Sequence, residues 1–172
     1  DDSITRHVFD PFFISTHFHY PYIFVADEYW MPSLRLLGEA KIFYLPFATS
    51  EEFFQPKNVK RDIDIIYVGY FGSGPNISKS VIISALEDFN VTLAGPGTSR
   101  YVHTIKNKNK INTIDKFLSS PEVNEIYNRS KIILSLHHIQ FKSDPCPRGF
   151  DAAASKSFQL AEFRKNIPKL LL

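Results

Sequence analysis

Short, continuous apolar runs alternate along the chain with segments of helical periodicity. In the later part of the chain the four clearest runs are Ile63–Gly69, Val91–Ala94, Lys131–Leu136 and Ser157–Ala161. Residues 77–88 carry apolar side chains at helical spacing, and Ser120-Pro121-Glu122 is typical of a helix start. Strands that are buried on both faces of a parallel sheet read as continuous apolar runs. The pattern therefore predicts β-α-β units and a doubly wound α/β fold, with the four runs as neighbours in one parallel sheet.

The early part of the chain predicts a smaller, separate β-α-β piece. Residues 22–25 and 41–45 are apolar runs, and Trp30–Gly38 between them has a helical pattern that ends at a glycine. Residues 46–62 hold two prolines and a charged cluster without a strand pattern, which indicates a crossover. Residues 98–113 are polar and basic and predict a loop.

Composition narrows the function classes. The 172 residues include 20 Lys and Arg against 18 Asp and Glu, a balance that argues against bulk capture of nucleic acid. No run approaches the roughly 18 apolar residues of a membrane span. Cys146 is the single cysteine and fits a reducing compartment, so we expect a cytoplasmic location. Since the chain lacks an initiator Met and stops within an apolar run, we expect a fragment cut at both ends, with a processed chain as the alternative.

Two glycine-containing loops follow the first two strands of the predicted sheet. Ligands of such sheets bind outside the carboxyl ends of the strands, where Gly69, Gly72, Gly95 and Gly97 lie. Glycines allow close backbone approach to a phosphate, and a helix follows the first loop. The spacing of the first loop matches neither the dinucleotide motif G-x-G-x-x-G nor a Walker loop. Glycines that simply turn a strand into a helix, or form a tight turn, are the alternative interpretation.

A third loop gathers side chains with more specific chemistry. Lys131–Leu136 leads into His137, and Arg148 and Asp151 follow near a helix start. Arginine offers paired donors to phosphate, whereas an aspartate at a helix start either binds a ribose diol or caps the helix. The histidines lack regular zinc-ligand spacing, so we expect no metal site.

Four segments together resemble a known family. They are FVADEYWMPSLRLLGEAKIFYLPFA, the crossover ending in Phe54-Gln55-Pro56, DIIYVGYFG with VTLAGPG, and EIYNRSKIILSLHH with PRGFDAAASKSFQLAEF. They are similar to GT-B glycosyltransferases of the spore-maturation-protein-like (CgeB-like) group, whose C-terminal domain belongs to the glycosyl transferase group 1 class. The likeness covers nearly the whole chain, and the last segment is the most specific.

The resemblance implies a domain organisation and roles for the candidate residues. Residues 1–48 would end an N-terminal, acceptor-side Rossmann-like domain, 49–62 would be the interdomain crossover, and 63–172 a truncated C-terminal domain for a nucleotide-sugar donor. Arg148 would contact the diphosphate, Asp151 the ribose or sugar, and His137 a wall of the donor pocket. GT-B enzymes usually need neither a bound metal nor a cofactor. The acceptor, a glycan or a protein, stays unknown.

The chain also departs from the family pattern. Asp151 replaces a glutamate, Ser135 an asparagine, and Lys156 a glycine that ends a helix, where a side chain meets the left-handed backbone penalty. No catalytic base is assigned, because it would lie in the missing part of the N-terminal domain, so we expect no turnover from the fragment alone. The alternative is a non-catalytic nucleotide- or sugar-binding module of the same fold. The glycine order argues against a dinucleotide-dependent oxidoreductase.

Overall fold

The computed structural model describes residues 20–36, 38–71, 77–86, 88–105, 109–138 and 141–171. These residues form two compact units. The first unit takes in the described residues within Asp1–Phe47, His137–Cys146 and Phe163–Leu172, and the second unit those within Ala48–Leu136 and Pro147–Glu162. The interpretation of residues 1–48, 49–62 and 63–172 as two domains and a crossover stays a prediction.

The first unit contains the small β-α-β piece that the sequence predicts. Its elements before Phe47 are strand β1 (Tyr22–Val25), a 3-10 helix (Glu28–Trp30), helix α1 (Met31–Arg35) and strand β2 (Lys41–Tyr44). The two strands pair in parallel as a sheet of their own, with Tyr22 opposite Lys41. Leu34 and Ile42 are buried between the helix and the sheet. The helical region ends earlier than the predicted Trp30–Gly38.

Two buried carboxylates join segments of the first unit that lie 100 or more residues apart in the chain. Asp27 accepts a hydrogen bond of 2.6 Å from the backbone N–H of Lys142. Asp144 accepts one of 2.8 Å from the backbone N–H of Glu28 and another from the Tyr44 hydroxyl. Burial, followed by the hydrogen bond to Asp144, raises the pKa of Tyr44. In both carboxylates, each oxygen accepts at least one hydrogen bond. Because their buried oxygens are satisfied in this way, the two aspartates stabilise the unit.

The second unit is built on a five-stranded sheet. Its strands are β3 (Ile63–Val68), β4 (Val91–Ala94), β5 (Ile111–Ile114), β6 (Ser130–Ser135) and β7 (Gln159–Ala161). All neighbours pair in parallel, in the order β5-β4-β3-β6-β7. The prediction that four apolar runs share one parallel sheet, separate from the sheet of residues 22–45, is confirmed.

Four helices flank this sheet in the described part of the second unit. They are α2 (Ile77–Ser84), α3 (Thr98–Val102), α4 (Ser120–Arg129) and α5 (Pro147–Ala154). The prediction of a loop over residues 98–113 is wrong, because that segment contains α3 and most of β5. The sequence of β5, INTI, places exposed Asn112 and Thr113 between two half-buried isoleucines, as an edge strand allows. No helix in the described ranges combines the length and apolar character needed to cross a membrane.

The start of α4 shows why this helix could be predicted. Ser119 is its N-cap, and Pro121 lies in the first turn, where its missing N–H costs nothing. Glu122 accepts the backbone N–H of Ser119 at 2.8 Å, which completes a capping box. The helix therefore begins where the sequence pattern indicates.

The two faces of the sheet carry separate cores. On one face, Ile66 and Ile133 lie in a buried cluster with α4 and α5. On the other face, Ile65 and Leu134 pack in a cluster with α2 and α3. The helices therefore change faces between the adjacent strands β3 and β6. This is a topological switch point, and the crevice outside the carboxyl ends of these strands is where such sheets bind ligands.

The segment that the sequence interprets as a crossover is fastened to the second unit. Residues 46–62, all of which the structure describes, contain no strand or helix. Phe54 is buried in the core below α4. The backbone N–H of Lys57 donates to Asn128 Oδ1 at 2.6 Å, and Asn128 Nδ2 donates to the Gln55 carbonyl at 3.0 Å. Buried side-chain amides of α4 thus replace the backbone partners that this segment lacks.

Candidate functional site

The first two glycine loops lie in contact at the carboxyl edge of the sheet, where the parallel strands end. The Gly69 N–H donates to the Ala94 carbonyl at 2.9 Å, and the Phe71 N–H donates to the Pro96 carbonyl at 3.0 Å. Gly95 has a φ of +132°, and a Cβ at this position would lie 1.8 Å from the Gly69 carbonyl oxygen. Glycine is therefore required at Gly95 by both backbone conformation and space. Gly72 lies outside the described residues.

The second glycine turn is already occupied by a carboxylate of the protein itself, that of Asp115. Gly97 has a φ of 87° and precedes α3. Its N–H donates to Asp115 Oδ1 at 2.8 Å, and the Ser99 N–H donates to Asp115 Oδ2 at 3.1 Å. The Ser99 hydroxyl, followed by the Gly97 N–H, holds the pKa of Asp115 below its ordinary value. A phosphate would have to displace this carboxylate to use the Gly97 N–H.

Arg148 and Asp151 meet on the first turns of α5. Arg148 Nη1 donates to Asp151 Oδ2 at 3.1 Å. Asp151 is only 8% exposed, and its Oδ1 accepts a 2.8 Å hydrogen bond from the Thr49 hydroxyl. Burial raises the pKa of Asp151, against the lowering by Thr49 and Arg148. The Arg148 side chain is 39% exposed, so its guanidinium reaches solvent while one donor stays on Asp151.

The topology places this ion pair at the same edge as Gly69 and Gly95. Helix α5 ends at Ala154, and the parallel strand β7 begins five residues later at the opposite, amino edge. The start of α5, with Arg148, therefore lies toward the carboxyl edge. It packs on the face that carries α4, whereas the first glycine loop continues β3 itself. The prediction that Arg148 and Gly72 face the same surface involves a residue outside the described ranges, and it stays a prediction.

His137 belongs to the first unit. It is buried, and its Nδ1 accepts the backbone N–H of Cys146 at 3.1 Å. This bond fixes the ring and assigns the proton of the neutral imidazole to Nε2. The expectation that His137 forms a wall of a donor pocket stays a prediction.

Sequence analysis missed two polar residues that shape the site. Asp115 follows β5, a strand that was not predicted because the sequence around it is polar. Thr49 lies 102 residues before its partner Asp151, and no local pattern indicates such a pair. Ser135, at the end of β6, is a further candidate residue of the site, because its Oγ is buried without a hydrogen-bond partner in the described part of the chain.

A cavity of about 430 Å³ extends along β3, β4 and β5 beside α4, and its lining includes none of the candidate site residues. Its lining includes Asp62, Asp64, Asn90 and Arg129 at the amino ends of the strands and the end of α4. Arg129 pairs with Asp62 at 2.8 Å, and Lys131 pairs with Asp64 at 2.6 Å. Each charged side chain of this lining is thus paired with an opposite charge, so we place the candidate site at the carboxyl edge. Over the described ranges, no three His, Cys, Asp or Glu side chains are grouped to hold a metal ion.

Solved structures of glycosyltransferases share this fold. Sucrose-phosphate synthase from Thermosynechococcus elongatus aligns over 88% of the chain with a TM-score of 0.62 and 12% identity. AviGT4, a glycosyltransferase involved in avilamycin A biosynthesis, aligns over 89% with a TM-score of 0.64 and 10% identity. The chain spans 43% and 49% of the lengths of these two structures. The predicted α/β fold of GT-B type is confirmed.

Sequence comparison gives the family. No curated protein matches the chain significantly. A family model described as glycosyl transferase-like matches residues 79–172, which include β4 to β7 and the candidate Arg148 and Asp151. This match covers more than half of the 172 residues, so the chain belongs to the glycosyl transferase-like family.

Proposed function

We propose that the chain is part of a glycosyltransferase of the spore-maturation-protein-like (CgeB-like) group, which transfers a sugar from a nucleotide-sugar donor to a glycan or protein acceptor. The observation that carries the proposal is the Arg148–Asp151 pair at the carboxyl edge of a switch-point sheet, within a segment that matches the family model. A guanidinium and a carboxylate side by side are suited to a diphosphate and a sugar diol.

Each candidate residue has a proposed role in holding the donor. The Gly69–Gly72 loop allows close backbone approach to the diphosphate, and Gly95 lets the second turn pack directly against the Gly69 carbonyl oxygen. Arg148 donates to the diphosphate with the guanidinium N–H groups that Asp151 leaves available, and Asp151 contacts the ribose or the sugar. Gly97 acts by holding the turn, because its N–H is bonded to Asp115.

The proposed site supplies its own positive charge. A guanidinium offers five N–H donors in a fixed plane, which matches the oxygens of a diphosphate. Binding of the donor therefore needs no divalent cation or other cofactor in this proposal. The cytoplasmic location expected from the single cysteine stays a prediction.

Isothermal titration calorimetry tests the donor role. Uridine, guanosine and thymidine diphosphates are titrated into the parent chain with a chelator present, and at least one of them should bind. Arg148→Ala should weaken this binding about ten- to a hundredfold, the typical effect of losing a hydrogen bond to a charged group. Arg129→Ala is the matched control, because it removes an arginine that pairs with Asp62 at the opposite edge.

A second titration separates the two halves of the donor site. Asp151→Ala should weaken the binding of a nucleoside diphosphate more than the binding of inorganic pyrophosphate, since only the former has a ribose. Arg148→Ala should weaken both ligands. The proposal is wrong if Arg148→Ala binds like the parent, or if binding appears only when a divalent cation is added.

A further inference from the structure

Thr49 links the crossover segment to the candidate donor site. It is half-buried, and its hydroxyl donates to Asp151 Oδ1 at 2.8 Å. The other oxygen of the same carboxylate accepts from Arg148 Nη1 at 3.1 Å. Thr49 thus reaches Arg148 through Asp151, across 102 residues of sequence.

This arrangement restricts the rotation of the Asp151 side chain. The carboxylate torsion of an aspartate is broad when nothing holds it, and each carboxylate oxygen here has a different donor. With Oδ1 on Thr49, the group presents Oδ2 to Arg148. A long arginine side chain that is 39% exposed otherwise samples many rotamers, and fixing one of its donors reduces the entropy lost when a ligand binds the rest.

We infer that Thr49 is a positioning residue of the donor site, whose hydroxyl orients Asp151 so that the Arg148 guanidinium is held ready for a diphosphate. The inference rests on the proposed function, because it assumes that Arg148 contacts a phosphorylated ligand. It assigns a role in donor binding to a residue of the crossover segment, which lies outside the segment matched by the family model.

The pKa of Asp151 reports the hydrogen bond from Thr49 in the absence of any ligand. The groups that face its carboxyl are Arg148 on its own helix and Thr49 on the crossover; α4, β6 and β7 contribute no charged side chain to it in the described ranges. The Thr49 hydrogen bond favours the ionised carboxylate and so lowers the pKa that burial raises. Removal of the hydroxyl should therefore raise the pKa of Asp151 further.

The test compares Thr49→Val, which keeps the branched shape without the hydroxyl, with Thr49→Ser, which keeps the hydroxyl. Carbon-13 NMR follows the Asp151 carboxyl across pH, and calorimetry measures affinity for the nucleoside diphosphate that the parent binds. Thr49→Val should raise the Asp151 pKa and weaken binding about three- to tenfold, the typical effect of one hydrogen bond. Thr49→Ser should match the parent in both measurements.

The outcomes separate this inference from the proposed function. If the parent binds no nucleoside diphosphate, the proposed function is wrong and the positioning role falls with it. If the parent binds and Thr49→Val matches it, only the inference is overturned. Equal losses in the Val and Ser variants would show that a retained hydroxyl does not preserve binding, and would also overturn it. Thr49→Ala replaces the Val variant if that chain does not fold by circular dichroism, with the same expectations.

Discussion

Lys156 occupies a backbone conformation that suits glycine. It therefore allows a direct test of what a side chain in the left-handed region costs in stability. Its φ is +50°, and no other non-glycine residue in the described ranges has a positive φ. The Lys156 N–H donates to the Ala153 carbonyl at 2.9 Å, and the Ser157 N–H donates to the Ala152 carbonyl at 3.3 Å. This pair of bonds is the Schellman motif that ends many helices, in which glycine is preferred at the left-handed position.

The expected gain from Lys156→Gly is the difference of two effects. A residue with a Cβ costs about 1–2 kcal/mol in the left-handed region. Glycine loses more conformational entropy on folding, which costs about 0.5–1 kcal/mol. The Lys156 side chain is exposed, so its loss removes little packing. We expect the free energy of unfolding to rise by about 0.5–1 kcal/mol, or the melting temperature by about 1–4 °C.

Urea unfolding of the parent, Lys156→Gly and Lys156→Ala measures this gain. Alanine keeps the Cβ and removes the amine, so it controls for the loss of charge and should stay close to the parent. The dependence on urea should be the same for all three chains, as expected when only stability changes. The reasoning is refuted if the glycine variant is no more stable than the parent, or if the alanine variant gains as much.

Two further substitutions test the elements that form the edge of the site. Gly95→Ala should destabilise the chain by about 3 kcal/mol or more in urea unfolding, because its Cβ would meet the Gly69 carbonyl at a φ of +132°; a loss below about 1 kcal/mol would contradict the geometry. The hydrogen bond from Lys116, followed by those from Ser119, lowers the pKa of Glu122 from 4.5 to about 2. The parent should therefore be more stable than Glu122→Gln at pH 7 and lose that advantage as the pH falls from about 4.5 to 2. A difference that does not change with pH would contradict this reasoning.

The elements that the sequence predicted well have strong local signals. Ile63–Val68 and the apolar residues of β6 are continuous runs, as strands buried between two layers of helices require. Helix α4 carries its own start signal in Ser119 and Glu122. β5 was missed because an edge strand needs no continuous apolar run, and its Asn112 and Thr113 are exposed.

The candidate site was predictable only in part, because its contacts join distant segments. The sequence placed Arg148 and Asp151 on one helix start, and the structure brings them into an ion pair. It gave no signal for Thr49, whose partner lies 102 residues away, or for Asp115, which directly follows an unpredicted strand and accepts a hydrogen bond from the second glycine turn. Such hydrogen bonds depend on how the chain packs, and residue patterns do not record them.

We propose that a nucleoside diphosphate binds at the carboxyl edge of the second unit's sheet through Arg148. The most direct measurement is a nitrogen-15 NMR titration of the labelled chain with uridine diphosphate, and with guanosine and thymidine diphosphates in parallel, in the presence of a chelator. We expect the backbone amides of Gly69 and Gly95 and the side-chain Nε–H of Arg148 to shift with saturation, while the Nε–H of Arg129 at the amino edge stays unchanged. Shifts confined to Arg129 and its surroundings, or no saturable shift with any of the three ligands, would contradict the account.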